Sequence, residues 1–98
     1  MTTRVEISEQ VEAFVKSLAP EPRRALRQAI KALAHDKGDR KRLEGKLSPY
    51  HRLRAGGYRV IYVERFEKGR RVIGCVFARE RAVVYELFLK LRAEEFGD

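Results

Sequence analysis

Tyr50-His51-Arg52-Leu53-Arg54-Ala55-Gly56-Gly57-Tyr58-Arg59-Val60-Ile61-Tyr62-Val63 is the stretch whose reading decides the fold. Basic or polar residues alternate with apolar ones, the pattern breaks at Gly56-Gly57, and the alternation then resumes. Two short alternating runs around a glycine pair predict a β-hairpin. A two-residue loop sets Ala55 against Tyr58 and Arg54 against Arg59. Successive strand side chains point to opposite sides. Arg52, Arg54, Arg59 and Ile61 therefore share one face, and His51, Leu53, Tyr58, Val60 and Tyr62 take the other. Guanidinium groups gathered on one face repel each other unless an anion lies over them, and their planar fork suits a phosphate. The plainer alternative is the solvated edge of an ordinary sheet.

Working outward, Arg4-Val5-Glu6-Ile7 alternates as a short first strand, and Ser8 is placed to cap a helix with Glu9 in its first turn. Val11, Phe14, Val15 and Leu18 follow at helical spacing. Pro20-Glu21-Pro22 stops that helix, with Pro22 placed to start the next. Leu26, Ala29, Ile30, Leu33 and Ala34 form a second apolar stripe, so the two helices form an antiparallel pair. His35 to Arg42 reads as a polar connection, and Leu43, Leu47 and Pro49 lead into the hairpin. Glu67-Lys68-Gly69-Arg70 is a second turn. Arg71 to Ala78 is apolar enough for an interior strand. From Ala82 the period becomes helical, with Val84, Leu87, Phe88 and Leu91 on one stripe. The expected order is β-α-α-β-β-β-α, an α+β domain over residues 1–98 in which an antiparallel sheet carries an N-terminal helical hairpin and a C-terminal helix.

The chain has 98 residues, 44% of them hydrophobic, enough for one modest core. Its net charge is +8, and between Lys37 and Arg71 there are 12 basic and 4 acidic residues. All the net charge thus falls in the segment that holds the hairpin, which fits a polyanion such as nucleic acid or an acidic protein. No apolar run is long enough to span a membrane and no apolar leader follows Met1, so a cytoplasmic protein is expected, with no membrane partner. The one cysteine, Cys75, lies in an apolar run and reads as a buried thiol.

Two histidines and one cysteine do not build a zinc site, no carboxylate pair lies in the hairpin, and no glycine-rich phosphate loop precedes a helix. No metal and no cofactor is expected. Arginines and tyrosines beside a sheet suit RNA cleavage, because RNA carries its own nucleophile. The 2′-hydroxyl can attack the adjacent phosphate once the chain is held in line, the growing charge is neutralised and protons are moved. Arginines supply charge, and tyrosines can stack on bases. His51 is the only conventional proton acceptor in the set, although parity puts it opposite the arginines. Arg79-Glu80-Arg81-Ala82-Val83-Val84-Tyr85 closes the last strand and opens the final helix, where Arg81 and Tyr85 can be neighbours four apart.

The short strand, the two helices, basic-x-Leu-Arg-x-Gly-x-Tyr-Arg-Val-x-Tyr and Arg-Glu-Arg-x-x-Val-Tyr together resemble the RelE/ParE superfamily of bacterial type II toxins, from about Arg4 to Leu91. Gly57 to Tyr62 is shared across that superfamily, whereas Arg79 to Tyr85 resembles the RelE branch. The resemblance implies a metal-independent endoribonuclease that cuts mRNA in the ribosomal A site, with ribosomal RNA and a cognate antitoxin as partners. It places Arg52 where RelE has a catalytic lysine and Arg59 where RelE has the arginine that stabilises the transition-state phosphate. It places Arg79 on the arginine tied to leaving-group protonation and Tyr85 on the tyrosine that stacks on a base. Tyr50 stands where RelE has a second lysine, and Arg52 lacks a lysine's titratable amine, which leaves proton abstraction to His51 or to the ribosome. Tyr50, His51, Arg54 and Arg81 are expected to contact substrate. The alternatives are a ParE-like inhibitor of DNA gyrase and a degenerate member that only binds antitoxin or RNA.

Overall fold

The computed structural model describes residues 2–96. Strand β1 (Arg4–Ile7) leads into helix α1 (Glu9–Ser17) and helix α2 (Pro20–Ala32). Strands β2 (Asp39–Arg42), β3 (His51–Ala55), β4 (Tyr58–Glu67) and β5 (Arg70–Glu80) follow, and helix α3 (Val84–Phe96) closes the described chain. The five strands form one sheet in the order β1-β5-β4-β3-β2. All neighbours are antiparallel except β1, which runs parallel to β5.

Each boundary has a local cause. Ser8 caps α1, its Oγ accepting from the Val11 N–H at 3.2 Å. Pro20 rather than Pro22 opens α2, because a proline at the first helical position gives up an N–H that has no partner there. The Gly56-Gly57 loop gives the pairing the sequence implies, Ala55 opposite Tyr58 and Arg54 opposite Arg59. Gly56 sits at φ 60°, the left-handed value a primed hairpin turn needs at its first central residue. Lys68 at φ 52° and Gly69 at φ 79° make the second turn.

Two further expectations need correction. The polar connection contains a strand, because Asp39-Arg40-Lys41-Arg42 pairs with β3 along its whole length. All four residues are exposed, so the strand has no apolar alternation to betray it, and charge of this kind is how sheet edges resist further pairing. The final helix starts at Val84, not Ala82. Arg81 belongs to the preceding turn, where its N–H donates to the Gly57 carbonyl at 2.9 Å. That bond docks the β5–α3 corner on the hairpin loop.

The two faces of the sheet are covered differently. Under α1 and α2, Val11, Val15, Leu26, Ile30 and Leu33 pack on Leu53, Val60, Tyr62, Ile73, Cys75 and Ala78. Burying each such aliphatic side chain contributes about 1.5–3 kcal/mol. Burial pushes the Cys75 thiol up to about 12, so it is inert as a nucleophile at neutral pH. On the other face, Val84 and Phe88 of α3 cover only Ile61 and Phe77, with Tyr50, Tyr85 and Leu47 packed around them. The end of that face nearest the hairpin loop is left to the arginines. Among the described residues, no helix is long and apolar enough to cross a membrane.

Candidate active site

The arginines form a row across the strands. Arg54 of β3 lies opposite Arg59 of β4, and Arg59 lies opposite Arg79 of β5. Asp39 of β2 completes the row on the far side of Arg54. The adjacent row on the same face runs Lys41, Arg52, Ile61, Phe77. Tyr85 packs against the cluster of Ile61, Phe77, Val84 and Phe88, whose strand residues Ile61 and Phe77 pair one step along the strands from Arg59 and Arg79. Arg52, Arg54, Arg59, Arg79 and Tyr85 are thus brought to one end of one face.

Their environments differ. Arg59 is buried at 8% exposure, and its Nη1 donates to the Gly56 and Tyr58 carbonyls at 2.9 Å each. It therefore holds the hairpin loop as well as facing the row. Arg52 is mostly covered, with Nη1 3.1 Å from both the backbone oxygen and Oδ1 of Asp39. Arg54 is more open, its Nη1 4.0 Å from Asp39 Oδ2. Arg79 donates from Nε to Glu80 Oε1 at 3.1 Å.

Arg79 reaches the row through a β-bulge. Tyr62 pairs with Cys75 but Ile61 pairs with Phe77, which leaves Val76 unpaired. The start of α1 secures this irregularity. The Ser8 N–H donates to the Cys75 carbonyl at 2.9 Å, and Ser8 Oγ donates to the Val76 carbonyl at 3.0 Å. The Gln10 side chain then takes both backbone groups of Ala78. Its Nε2 donates to the carbonyl at 2.7 Å, and its Oε1 accepts from the N–H at 2.8 Å.

Three other residues expected at the site stand apart. Tyr50 packs edge-to-face on Phe88, ring centroids 5.0 Å apart, and its hydroxyl accepts from Arg92 Nη1 at 2.6 Å. It is part of the packing under α3. His51 lies on the opposite face, stacked on Tyr62 with centroids 5.2 Å apart. There it lines a pocket of about 300 Å³ with Arg42, Glu64 and Arg71. Burial lowers the His51 pKa below its usual value, partly offset by the Glu64 carboxylate, and its Nδ1 is buried without a hydrogen-bond partner. Arg81 is exposed in the corner turn, so its helical pairing with Tyr85 does not form. Sequence reasoning missed Asp39 and Lys41, which come to the arginine face only through β2. The charged run itself was the available signal, since a sheet edge tolerates such a run.

No family model and no curated protein matches the chain. Solved structures do, two of them RelE–RelB complexes. One is an archaeal RelE–RelB complex from Pyrococcus horikoshii OT3, 30% identical, with a TM-score of 0.63 over 83% of this chain and 97% of that one. The other is the RelB–RelE antitoxin–toxin complex from Methanococcus jannaschii, 17% identical, with a TM-score of 0.59 over 85% of this chain and 98% of that one, a likeness of fold. The chain belongs to the RelE family of type II toxins.

Proposed function

We propose that the protein is a ribosome-dependent endoribonuclease that cuts mRNA in the A site by 2′-hydroxyl attack, without a metal ion. The observation that carries this is the unbroken Arg54–Arg59–Arg79 row, with Tyr85 on the apolar cluster that adjoins it on the same face. A phosphate passing from tetrahedral to pentacoordinate gains charge on its equatorial oxygens, and preorganised donors aimed at them stabilise the transition state more than the ground state. Arg59 is held by two backbone carbonyls, so it loses little freedom on meeting the phosphate. Arg79 lies next to it for the leaving oxygen, Arg52 and Arg54 hold the chain, and Tyr85 offers a ring for an unpaired base.

The solved neighbours are toxins caught with RelB. A cognate antitoxin for this chain would cover the arginine face and the helical pair, in the cytoplasm where ribosomes are found. Ribosomal RNA would take the rest of the basic surface, because phosphate contacts position a protein without reading sequence.

Mapping mRNA 5′ ends after brief induction tests the reading. Cuts phased within codons, each leaving a 5′-hydroxyl, are expected. Unbroken mRNA accompanied by gyrase-linked DNA breaks would replace the nuclease with a gyrase inhibitor.

A further inference from the structure

We propose that Asp39 is the proton acceptor for the attacking 2′-hydroxyl, an assignment that rests on the nuclease reading above. The reaction needs a base, and the arginine row does not supply one, because a guanidinium stays charged and has no lone pair to offer. Lys41 pairs with Arg52 in the adjacent row, one step along the strands from the row that holds Arg54, Arg59 and Arg79. His51 is on the other side of the sheet, against Tyr62. Tyr50 is spent on Phe88 and Arg92.

Two carboxylates touch the row. Glu80 pairs across the strands with Tyr58, so its backbone places it on the opposite face. A hydrogen bond from its own backbone N–H, and then Arg79, hold its carboxyl below the usual range, which suits a tether more than a base. Asp39 is in register with Arg54 and on the correct face. Its carboxylate is half open to solvent, at 54% exposure, and stands at the β2 end of the row.

The contacts Asp39 makes are ones a phosphate would take over. Arg52 and Arg54 are its partners, and a phosphate arriving over the row competes for both. As those guanidinium groups turn to the phosphate, the carboxylate oxygens are freed at the moment a proton must be accepted. The 2′-oxygen passes its proton to Asp39, and its electron pair forms the new bond to phosphorus. The bond from phosphorus to the 5′-oxygen breaks, that oxygen takes a proton from solvent, and Asp39 returns its own proton to solvent. The products are a 2′,3′-cyclic phosphate and a 5′-hydroxyl.

The rival role is structural, with Asp39 merely holding Arg52. Single-turnover cleavage of ribosome-bound mRNA by wild type, Asp39→Asn, Arg52→Ala and the double variant separates the two. Asn keeps an oxygen that can accept from Arg52 but is no base. Asp39→Asn should slow cleavage roughly a hundredfold or more, with melting and ribosome affinity unchanged, and should slow it again by a similar factor in the Arg52→Ala background. Wild-type cleavage by Asp39→Asn, or no further loss in that background, overturns the assignment while leaving the nuclease reading intact. If wild type cuts nothing, the nuclease reading fails and takes this one with it.

Discussion

Arg59 and Arg79 face each other across β4 and β5 because one residue, Val76, is extra. Counted back from the Glu67–Arg70 pair at the turn, an unbroken ladder would set Arg59 against Ala78 and turn Arg79 to the helical-pair face. The bulge shifts the register by one, and a one-residue shift moves every later side chain to the other side. The two arginines then differ in what they hold. Arg59 is buried and bonded to the loop carbonyls, whereas Arg79 is part-exposed and bonded only to Glu80.

Arg59→Ala should therefore abolish growth arrest and also lower stability. Two charge-assisted hydrogen bonds to carbonyls of the hairpin loop are lost, which costs on the order of 2–4 kcal/mol. Arg79→Ala should lose a similar share of cleavage, about a hundredfold, with little change in melting. Paired thermal melts and induction assays check this. Equal melting losses for both variants would show that Arg59 has no special hold on the loop.

The bulge gives Gln10 a measurable role at a distance. Gln10→Ala removes both bonds to the Ala78 backbone, next to Arg79. Ser8→Ala removes the bond to Val76 and the cap of α1, a cost of about 1 kcal/mol for the cap. Cleavage should fall several-fold in either variant, and the fall should disappear when Arg79 is already alanine, since residues acting through one another are not additive. Equal losses in both backgrounds would mean general destabilisation instead.

How much of this was legible in the sequence depends on whether a feature was local. The Gly-Gly pair fixes the β3–β4 register by counting, and parity then gives Arg52, Arg54 and Arg59 one face. The Ser8 cap and the stripes of α1 and α2 follow from helical spacing. The burial of Arg59 was not legible, because its partners are main-chain carbonyls that no residue type announces. The placement of Arg79 opposite Arg59 depends on a bulge stabilised from α1, a contact 68 residues apart in sequence. Strand β2 escaped because its register comes from β3 and its own residues bury nothing.

The half-buried His51 predicts an acid-sensitive fold. Its folded pKa lies below the usual value of 6.5, chiefly through desolvation. Below that pH the unfolded chain takes up a proton that the folded one resists. Stability should thus fall as pH drops from 6.5 toward the folded pKa, and level off for this group below it. Asp36, held below the carboxylate range by its bonds to Arg71, acts in a separate window below its usual value of 3.8. His51→Phe keeps a ring on Tyr62 and removes the titration. Its midpoint in urea should change less between neutral and mildly acid buffer than that of wild type. Identical acid shifts in the two proteins would place the titrating group elsewhere.

Tyr85 separates a stacking role from a proton-transfer role. Its side chain packs half-buried against the cluster of Ile61, Phe77, Val84 and Phe88 from the first turn of α3. A side chain so anchored offers a fixed surface to an unpaired base, a contact of about 1–3 kcal/mol by alanine substitution where such contacts are measured. Phenols are poor proton acceptors at neutral pH, and the Asp39 assignment leaves none for this one to accept. Tyr85→Phe should therefore retain most single-turnover cleavage of ribosome-bound mRNA, whereas Tyr85→Ala should lose roughly ten- to a hundredfold. Tyr85→Ala also strips packing from the cluster under α3, so its melting must be followed, and Tyr85→Leu serves as the control that refills the packing without a flat ring. Leu should melt like Phe yet cleave like Ala if stacking is the role. Failure of Phe as severe as that of Ala would assign the work to the hydroxyl, and wild-type rates from all three would remove Tyr85 from the site.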